Sequence, residues 1–201
     1  MIRIIDLKDP SKEAPSVPCG LVLGNFDGVH RGHLALIERL KSLNKNRTEP
    51  LRLGAFCFEN HPFTYLGRPL SLLCTNEEKM ALLKEAGLDF VIFGDFMSLK
   101  DFSPEDFVRD FLSKRCDCRL AVCGFNYSFG AKGAGKAEDL KRLLEAEDGR
   151  AVSIVPPVTD GDQPISSTII REMLSSGKTE DASRLLGRPL DRMSAVNNEQ
   201  N

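Results

Sequence analysis

The segment GLVLGNFDGVHRGHLALIERLKSL, residues 20–43, contains the pattern from which the fold prediction starts. Its apolar beginning, residues 20–26, is typical of a buried strand that ends in a Gly/Asn turn. Apolar residues then recur at positions 34, 36, 37, 40 and 43, which indicates a helix with a broad buried face. The segment therefore predicts a strand, a glycine-rich turn and a helix in direct succession.

The same alternation of strand and helix recurs along the rest of the chain. Helical segments separate four more apolar runs that predict strands, at residues 51–58, 90–93, 120–124 and 151–155. Helix-start signals are the capping box Thr75–Glu78 and the N-cap pair Ser103–Pro104. Parallel strands need such crossovers, so the pattern predicts an α/β fold with an open parallel sheet covered by helices on both faces. Ligands of such sheets bind at the carboxyl ends of the strands, where the unusual residues of this chain gather.

Composition restricts the kind of protein before any motif is considered. The chain has 201 residues, a formal net charge of −2 and 41% hydrophobic residues, as expected of one globular domain. The lack of a basic excess argues against a nucleic-acid binder. No apolar run has the length of a membrane span, and the N-terminal residues lack a signal-peptide pattern. We expect a cytoplasmic protein without a nucleic-acid or membrane partner, and its oligomeric state is left open.

The six cysteines are expected to be free and mostly buried, as is usual in a reducing compartment. They stand at positions 19, 57, 74, 116, 118 and 123. The group between Cys116 and Cys123 has no matching second half and no histidine near it in the sequence. We therefore predict no metal site built from protein side chains.

Two of the three histidines stand where the first long helix is predicted to begin, in GNFDGVHRGH, residues 24–33. His30 and His33 are three positions apart and share one helix face, where the amide groups and the helix dipole favour an anion. Gly24 and Gly28 allow a ligand close to the backbone, or a positive φ. A lone histidine here would more often cap or pack, whereas two at this spacing indicate a phosphate clamp.

A second helix start lies in ISSTIIRE, residues 165–172. Ser166, Ser167 and Thr168 offer hydroxyls and free backbone amides, and Arg171 shares their helix face. A guanidinium beside hydroxyls and amides suits a phosphate. Alone, the pattern is ordinary N-capping with a surface arginine. Beside the histidine motif, it predicts the second half of one phosphate site.

Three polar or aromatic segments follow other strands. In FENHPF (58–63), a backbone hydrogen bond and a role in the cleft are equally good interpretations of His61. In GFNYSFG (124–130), Asn126 stands among aromatic residues and suits either recognition of a flat heterocycle or a core-lining loop. PPVTDGDQP (156–164) is a polar, turn-rich loop that is long enough to move.

The segment SFGAKGAGKAEDL, residues 128–140, imitates a nucleotide-binding P-loop. Gly130, Gly135 and Lys136 are in register, but Ala137 stands where a P-loop needs Ser or Thr for magnesium. A P-loop also joins its strand directly to its helix, whereas GFNYS intervenes here. We expect a flexible basic loop over a cleft and no phosphate cradle.

Taken together, these motifs resemble those of the adenylyltransferase domain of bacterial FAD synthetases, the riboflavin kinase/FMN adenylyltransferase proteins. GNFDGVHRGH fits the family's G-x-F-D-G-x-H-x-G-H motif, and ISSTIIR fits I-S-S-T-x-x-R. GFNYSFG is similar to the flavin-side motif G-x-[ND]-[FY]-x-F-G. FENHP is similar to F-[DE]-P-H-P, with Asn60 where proline is usual, and RLLGRPL is similar to the end of the domain. The resemblance covers residues 15 to 190.

The resemblance implies a Rossmann-like nucleotidylyltransferase fold over residues 1–190, with five parallel strands ordered 3-2-1-4-5, followed by a polar tail at 191–201. It also implies transfer of AMP from ATP to FMN with Mg²⁺ as the helper ion, and FAD and pyrophosphate as products. The implied catalytic residues are His30, His33 and Arg171. The implied ATP-binding residues are Gly24, Phe26, Asp27, Gly28, Ser166, Ser167 and Thr168. The implied flavin-binding residues are His61, Asn126 and Phe129. The riboflavin kinase module that usually follows in the family is not expected in this chain.

Two other functions remain open from the residues themselves. One is a related transferase that joins a nucleotide to pantetheine phosphate, nicotinamide mononucleotide or glycerol phosphate, since the histidine motif alone does not separate these. The other is a non-catalytic regulator that binds flavin or nucleotide. GFNYSFG and the full ISSTIIR favour FMN, and the intact histidines favour catalysis. Direct in-line displacement needs no protein nucleophile, because positioning and charge stabilisation are sufficient.

Overall fold

The structure is a computed structural model, and it describes residues 2–6, 17–67 and 70–190. In chain order the strands are β1 Arg3–Asp6, β2 Cys19–Leu23, β3 Arg52–Phe58, β4 Phe90–Gly94, β5 Cys118–Gly124, β6 Ser128–Phe129, β7 Gly135–Lys136, β8 Ala151–Val155, β9 Thr159–Asp160 and β10 Gln163–Pro164. The α-helices are α1 Arg31–Lys45, α2 Pro62–Tyr65, α3 Asn76–Glu85, α4 Phe96–Leu99, α5 Pro104–Asp106, α6 Ala137–Glu145, α7 Ser167–Ser175 and α8 Thr179–Leu186. Phe107–Arg115 is a π-helix and Ala131–Gly133 a 3₁₀ turn. The predicted polar tail, 191–201, lies outside the described residues.

Six strands form one parallel sheet in the order β1-β4-β3-β2-β5-β8. Without β1, this is the predicted order 3-2-1-4-5, and the α/β prediction is confirmed. The expected number of strands is wrong by one, because β1 pairs with β4 and places Ile4 opposite Val91. β1 has only four residues, which is too short for an apolar pattern to identify it in the sequence.

Apolar side chains cover both faces of this sheet. Along β2, Leu21 and Leu23 join the core that contains Leu140 of α6 and the π-helix. Val22 points the other way and joins the core that contains Ile37 of α1. This alternation follows from the two-residue period of a strand. It fixes helices on both faces and leaves the carboxyl edge of the sheet free for a site.

The predicted helix starts are confirmed, with one difference in winding. Thr75 and Glu78 form the reciprocal capping box of α3, and Ser103 caps α5 with Pro104 at its first turn. The continuation through Phe107–Arg115 is a π-helix, which sequence patterns do not distinguish from an α-helix.

The loop 156–164 forms the β9–β10 hairpin, which adds order that its turn-rich sequence does not predict. Its Asp160 accepts hydrogen bonds from Arg31 Nη1 at 3.0 Å and from Arg184 Nε at 2.8 Å. The hairpin is therefore tied to the first residue of α1 and to α8.

Candidate active site

A cavity of about 850 Å³ opens at the carboxyl ends of β2, β3, β5 and β8. Its wall contains eleven of the thirteen predicted site residues: Gly24, Asp27, His30, His33, His61, Asn126, Phe129, Ser166, Ser167, Thr168 and Arg171. The remaining two, Phe26 and Gly28, are not part of the wall. The structure thus brings both predicted halves of the phosphate site and the predicted flavin side into one cavity.

Phe26 and Gly28 shape the turn beneath this cavity. Phe26 is fully buried with its ring centroid 5.1 Å from that of His33. Gly28 has a φ of +79°, and a Cβ there would lie 2.9 Å from the Cβ of Leu73. Its N–H donates to Cys74 Sγ at 3.1 Å. These two residues therefore support the turn that carries the histidines, and their assignment to ATP binding stays a prediction.

The paired histidines lie at the start of α1, as their spacing predicts. His30 is the N-cap, and its Nδ1 accepts the backbone N–H of His33 at 3.3 Å. The two rings stack with centroids 3.7 Å apart. Since Nδ1 of His30 is the acceptor, the proton of its neutral ring lies on Nε2. In the described part of the chain, Nδ1 of His33 is buried without a hydrogen-bond partner.

Burial makes both histidines neutral at physiological pH. It lowers the pKa of His30 to about 4, with further lowering by the charges of Arg188 and Arg171. The pKa of His33 lies well below its usual value, first because of burial and then because of His30 and Lys79. The clamp that these rings can offer an anion is therefore one of neutral N–H donors. Neither ring supplies positive charge.

The second helix start docks on the first through a single acidic residue. Asp27 is 3% exposed, accepts the N–H of Leu73 at 2.8 Å and forms an ion pair with Arg171. Ser167 Oγ donates to the backbone oxygen of Asp27 at 2.9 Å. The Nε of Arg171 donates to Ser71 O at 2.7 Å. Arg171 lines the cavity but its guanidinium is held by the protein, a state that its spacing in ISSTIIRE did not indicate.

The hydroxyls at the start of α7 are only partly free. Ser166 is the N-cap, and its Oγ accepts the N–H of Ile169 at 3.3 Å. Thr168, two residues after Ser166, is exposed on the cavity wall. Together with the amides of the first turn, these groups face the same space as His30 and His33.

A further part of the cavity wall is aromatic. Its wall contains the rings of Phe58, Phe96, Phe107, Tyr127 and Phe129. Phe129 lies 5.3 Å from Phe107 and 5.8 Å from Tyr127, measured between ring centroids. The exposed Asn126 lies beside these rings on the wall. This part can hold a flat, partly apolar ring system next to an amide.

His61 lies on the same cavity wall. It caps the short helix α2 by accepting the N–H of Phe63 at its Nδ1, 3.2 Å away. Its Nε2 lies 3.4 Å from Asn25 Nδ2. Burial lowers the pKa of His61, although the charge of Asp27 opposes this. Both sequence interpretations of His61 hold, because it bonds to the backbone and also lines the cavity. Asn60, in the usual place of proline, donates to Tyr65 Oη at 3.2 Å.

The P-loop lookalike is a hairpin with a 3₁₀ turn. β6 pairs with β7, and the turn Ala131–Gly133 joins them. Lys136 Nζ donates to Gly133 O at 2.6 Å, and Lys136 is not part of the cavity wall. Gly130, Lys132 and Gly133 do line the cavity, so the expected basic loop over a cleft agrees with this geometry.

The cysteines are free and buried, as predicted. Burial raises the pKa of Cys57 to about 11 and also raises that of Cys74. Among the residues that the structure describes, no group of three or more His, Cys, Asp or Glu side chains is placed to hold a metal ion.

Several site residues could not be found from local patterns. Asn25, Ser71 and Leu73 bond to His61, Arg171 and Asp27 across 36 to 100 positions in the chain. No sequence spacing indicates such contacts, because they exist only once the sheet has formed.

None of the helices in residues 2–6, 17–67 and 70–190 is both long enough and apolar enough to cross a membrane.

Several known proteins are similar to this chain in sequence over most of its length. A bifunctional riboflavin kinase/FMN adenylyltransferase of Listeria monocytogenes is 34% identical over 174 residues, which cover 84% of this chain and 54% of the relative. The corresponding Escherichia coli K12 protein is 31% identical over 182 residues, covering 88% and 56%. The chain thus spans about half the length of these curated relatives. An FAD synthetase of L. monocytogenes is 33% identical over 173 residues, covering 84% of this chain and 68% of the relative.

The fold also has a close match among solved structures. A crystal structure from Streptococcus pneumoniae, described as a macrolide-efflux protein, superposes with a TM-score of 0.82 and 31% identity. The match covers 94% of this chain and 63% of that one. The FAD synthetase family model matches residues 12–169. With most of its length matched in this way, the chain belongs to the FAD synthetase family.

Proposed function

We propose that this protein transfers AMP from ATP to FMN, producing FAD and pyrophosphate. One observation carries the proposal: the wall of a single cavity contains two helix N-termini, the phosphate end, and a cluster of aromatic rings, the aromatic end. The first end suits the phosphates of both substrates, and the second suits a flavin ring. Membership of the FAD synthetase family and the names of the relatives support the same reaction.

At the phosphate end, the protein acts by holding anions in place. Helix N-termini present free backbone N–H groups and a partial positive charge. The neutral rings of His30 and His33 add N–H donors, and Thr168 adds an exposed hydroxyl. An oxygen of the FMN phosphate attacks the α-phosphorus of ATP in line, and pyrophosphate leaves. Preorganised donors that stabilise the transferring group lower the barrier without a covalent intermediate.

At the aromatic end, the protein selects the acceptor. An isoalloxazine ring can pack against Phe129 and its neighbours, while Asn126 supplies hydrogen bonds to polar ring atoms. Pantetheine phosphate and glycerol phosphate have no flat ring to fill this space. The aromatic end therefore favours FMN over these two acceptors, whereas nicotinamide mononucleotide also has a flat ring and is separated from FMN by the assay below.

Magnesium belongs to this proposal as the ion that accompanies ATP. The described residues contain no three-group cluster that would cage it. Mg²⁺ in enzyme sites typically keeps several waters and binds through substrate phosphates and one or two carboxylates. When bound, the ion neutralises charge on the phosphates. The cytoplasmic setting and the absence of nucleic-acid and membrane partners are also parts of the proposal.

The test is to incubate the protein with ATP, Mg²⁺ and FMN and to look for FAD by chromatography. Parallel reactions contain pantetheine phosphate, nicotinamide mononucleotide or glycerol phosphate in place of FMN. We expect FAD as the dominant product. Faster adenylylation of another acceptor would refute FMN specificity. Binding of ATP and FMN without turnover would show a non-catalytic regulator.

A further inference from the structure

The turn that carries the histidines has a strained backbone. Phe26 has a φ of +52°, Gly28 of +79° and Val29 of +38°. A positive φ is ordinary for glycine, but for a β-branched residue such as valine it is a genuine outlier. Val29 is 1% exposed and stands directly before His30, the N-cap of α1. Such a conformation persists only where the surrounding structure holds it, so the position of His30 depends on the contacts that hold Val29.

Arg188 supplies a contact on Val29 from a distant part of the chain. Its Nη1 donates to the backbone oxygen of Val29 at 3.3 Å, across 159 positions. Within the turn itself, the N–H of Val29 donates to the backbone oxygen of Phe26 at 3.2 Å. The arginine thus holds the carbonyl side of the strained residue, and the turn holds its amide side.

The guanidinium of Arg188 is kept in this place without an ion pair of its own. Among the residues that the structure describes, no carboxylate oxygen lies within 4.0 Å of it. Its Nη2 is buried and has no hydrogen-bond partner in the same part of the chain. Burial lowers the pKa of Arg188, which reflects the cost of removing its charge from water. A salt bridge therefore does not account for the position of this arginine, whereas the bond to Val29 does.

The end of α8, which carries Arg188, packs closely on the same turn. Gly187 ends that helix with a φ of +76° and directly precedes the arginine. A Cβ on Gly187 would lie 3.1 Å from Cγ of Arg31, the first residue of α1. A Cβ on Gly28 would lie 3.4 Å from Cδ2 of Leu186. The close packing at both glycines keeps the arginine in reach of the turn.

We propose that Arg188, in the segment RLLGRPL (184–190), is a positioning residue of the phosphate end, which holds Val29 in its left-handed conformation and thereby fixes His30 and His33. The proposal rests on the function proposed above for the reaction that these histidines serve. Arg188 acts through the turn, since it is not part of the cavity wall. Its charge has a second effect there, because after burial it contributes most to lowering the pKa of His30 and so keeps that ring a neutral donor. Donors that are already in place lower the barrier, because they need not rearrange during the reaction.

The decisive variant is Arg188→Met, which keeps much of the side-chain length and removes the donor. Arg39→Met is the matched control, because Arg39 is exposed on α1 and donates from its Nε to Ser153 Oγ at 3.0 Å. Amide hydrogen exchange of the substrate-free proteins is measured by mass spectrometry. We expect exchange in residues 24–33 to become about 10-fold faster in Arg188→Met, the factor implied by losing a hydrogen bond from a charged donor. The same segment should exchange at the wild-type rate in Arg39→Met, and nearly so in Arg188→Lys, which keeps a cationic donor.

A kinetic arm separates positioning from a purely structural role. We expect Arg188→Met to lower kcat about 10-fold, less than the loss of about 10²–10³ for a direct donor, with a smaller change in KM for FMN. Arg188→Lys should recover most of the lost kcat. Unchanged exchange in residues 24–33, exchange that rises equally along the whole chain, or a normal kcat would overturn the proposal. So would a failure of both Arg188→Met and Arg188→Gln to fold. If the wild type makes no FAD, the proposed function fails, while the exchange arm still decides whether Arg188 holds the turn.

Discussion

The ion pair between Asp27 and Arg171 is the contact that most directly separates a structural arginine from a phosphate-binding one. Asp27 is 3% exposed and the Arg171 side chain 17% exposed, so both charges are largely removed from water. Arg171→Met removes the cation and leaves the buried carboxylate with its bond from Leu73 N–H. It also removes the bond to Ser71 O that ties α7 to the loop before α3. We expect a substantial loss of stability, independent of any substrate.

The size of this loss follows from the burial. Removing one partner of a buried ion pair typically costs about 3–5 kcal/mol. Since the Arg171 side chain borders the cavity, we expect the lower end, about 3 kcal/mol in the free energy of unfolding. For a domain of this size, that corresponds to a drop of roughly 6–12 °C in melting temperature. Urea unfolding of the substrate-free protein measures the free energy, and calorimetry measures the melting temperature.

The control is Arg31→Met, which removes an arginine from a more exposed pair with Asp160. We expect that change to cost about 1 kcal/mol or less, as exposed pairs do. The double variant Asp27→Leu/Arg171→Met should recover much of the loss, because no buried charge is left unpaired. The outcome that would contradict this is an equally small loss in the free energy of unfolding for Arg171→Met and Arg31→Met. The ion pair with Asp27 would then not stabilise the fold, and Arg171 would act on the ligand alone.

Three further predictions concern the histidines and the P-loop lookalike. His33→Ala should lower kcat by about 10²–10³ with a smaller change in KM for FMN, whereas a near-normal kcat in a destabilised protein would refute its catalytic role. The pKa of His30 is about 4 in the folded protein against 6.5 in a free side chain, so the unfolded chain binds the extra proton between these values. Stability should therefore be full above pH 6.5 and fall by about 3 kcal/mol toward pH 4, and His30→Gln should flatten this part of a urea-unfolding pH profile. Lys136→Ala should leave the affinity for ATP within a few-fold, as titration calorimetry would show, since Lys136 bonds to Gly133 O and lies off the cavity wall.

Much of the fold could be predicted because its signals are local. The apolar runs, the capping box Thr75–Glu78 and the Ser103–Pro104 helix start are each complete within a few residues. β1 and the π-helix were missed for opposite reasons. β1 is too short to carry a pattern, and the π-helix has a pattern that an α-helix would share.

The location of the site could be predicted better than its electrostatics. The parallel sheet places the ends of β2, β3, β5 and β8 side by side, so the polar segments that follow them had to meet. The charge of each group depends instead on burial and on distant neighbours. Asp27 and Arg171 are 144 positions apart, and the burial of His30 is known only from the structure. Neither fact has a counterpart in the sequence pattern.

The contacts of Ser167 and Arg171 with Asp27 have a consequence for how the protein folds. The two helix starts that form the phosphate end come from residues 30–33 and 166–171, with β3, β4, β5 and β8 between them in the chain. Contacts of such long range form only after intervening segments have paired, because loop closure must precede them. A partly folded chain would therefore not bind substrate. A bound nucleotide would stabilise only the fully folded protein. Under the proposed function, nucleotide at a concentration of 100 Kd would add about 2.7 kcal/mol to the stability of fully folded molecules, and nucleotide supply would favour them over partly folded ones.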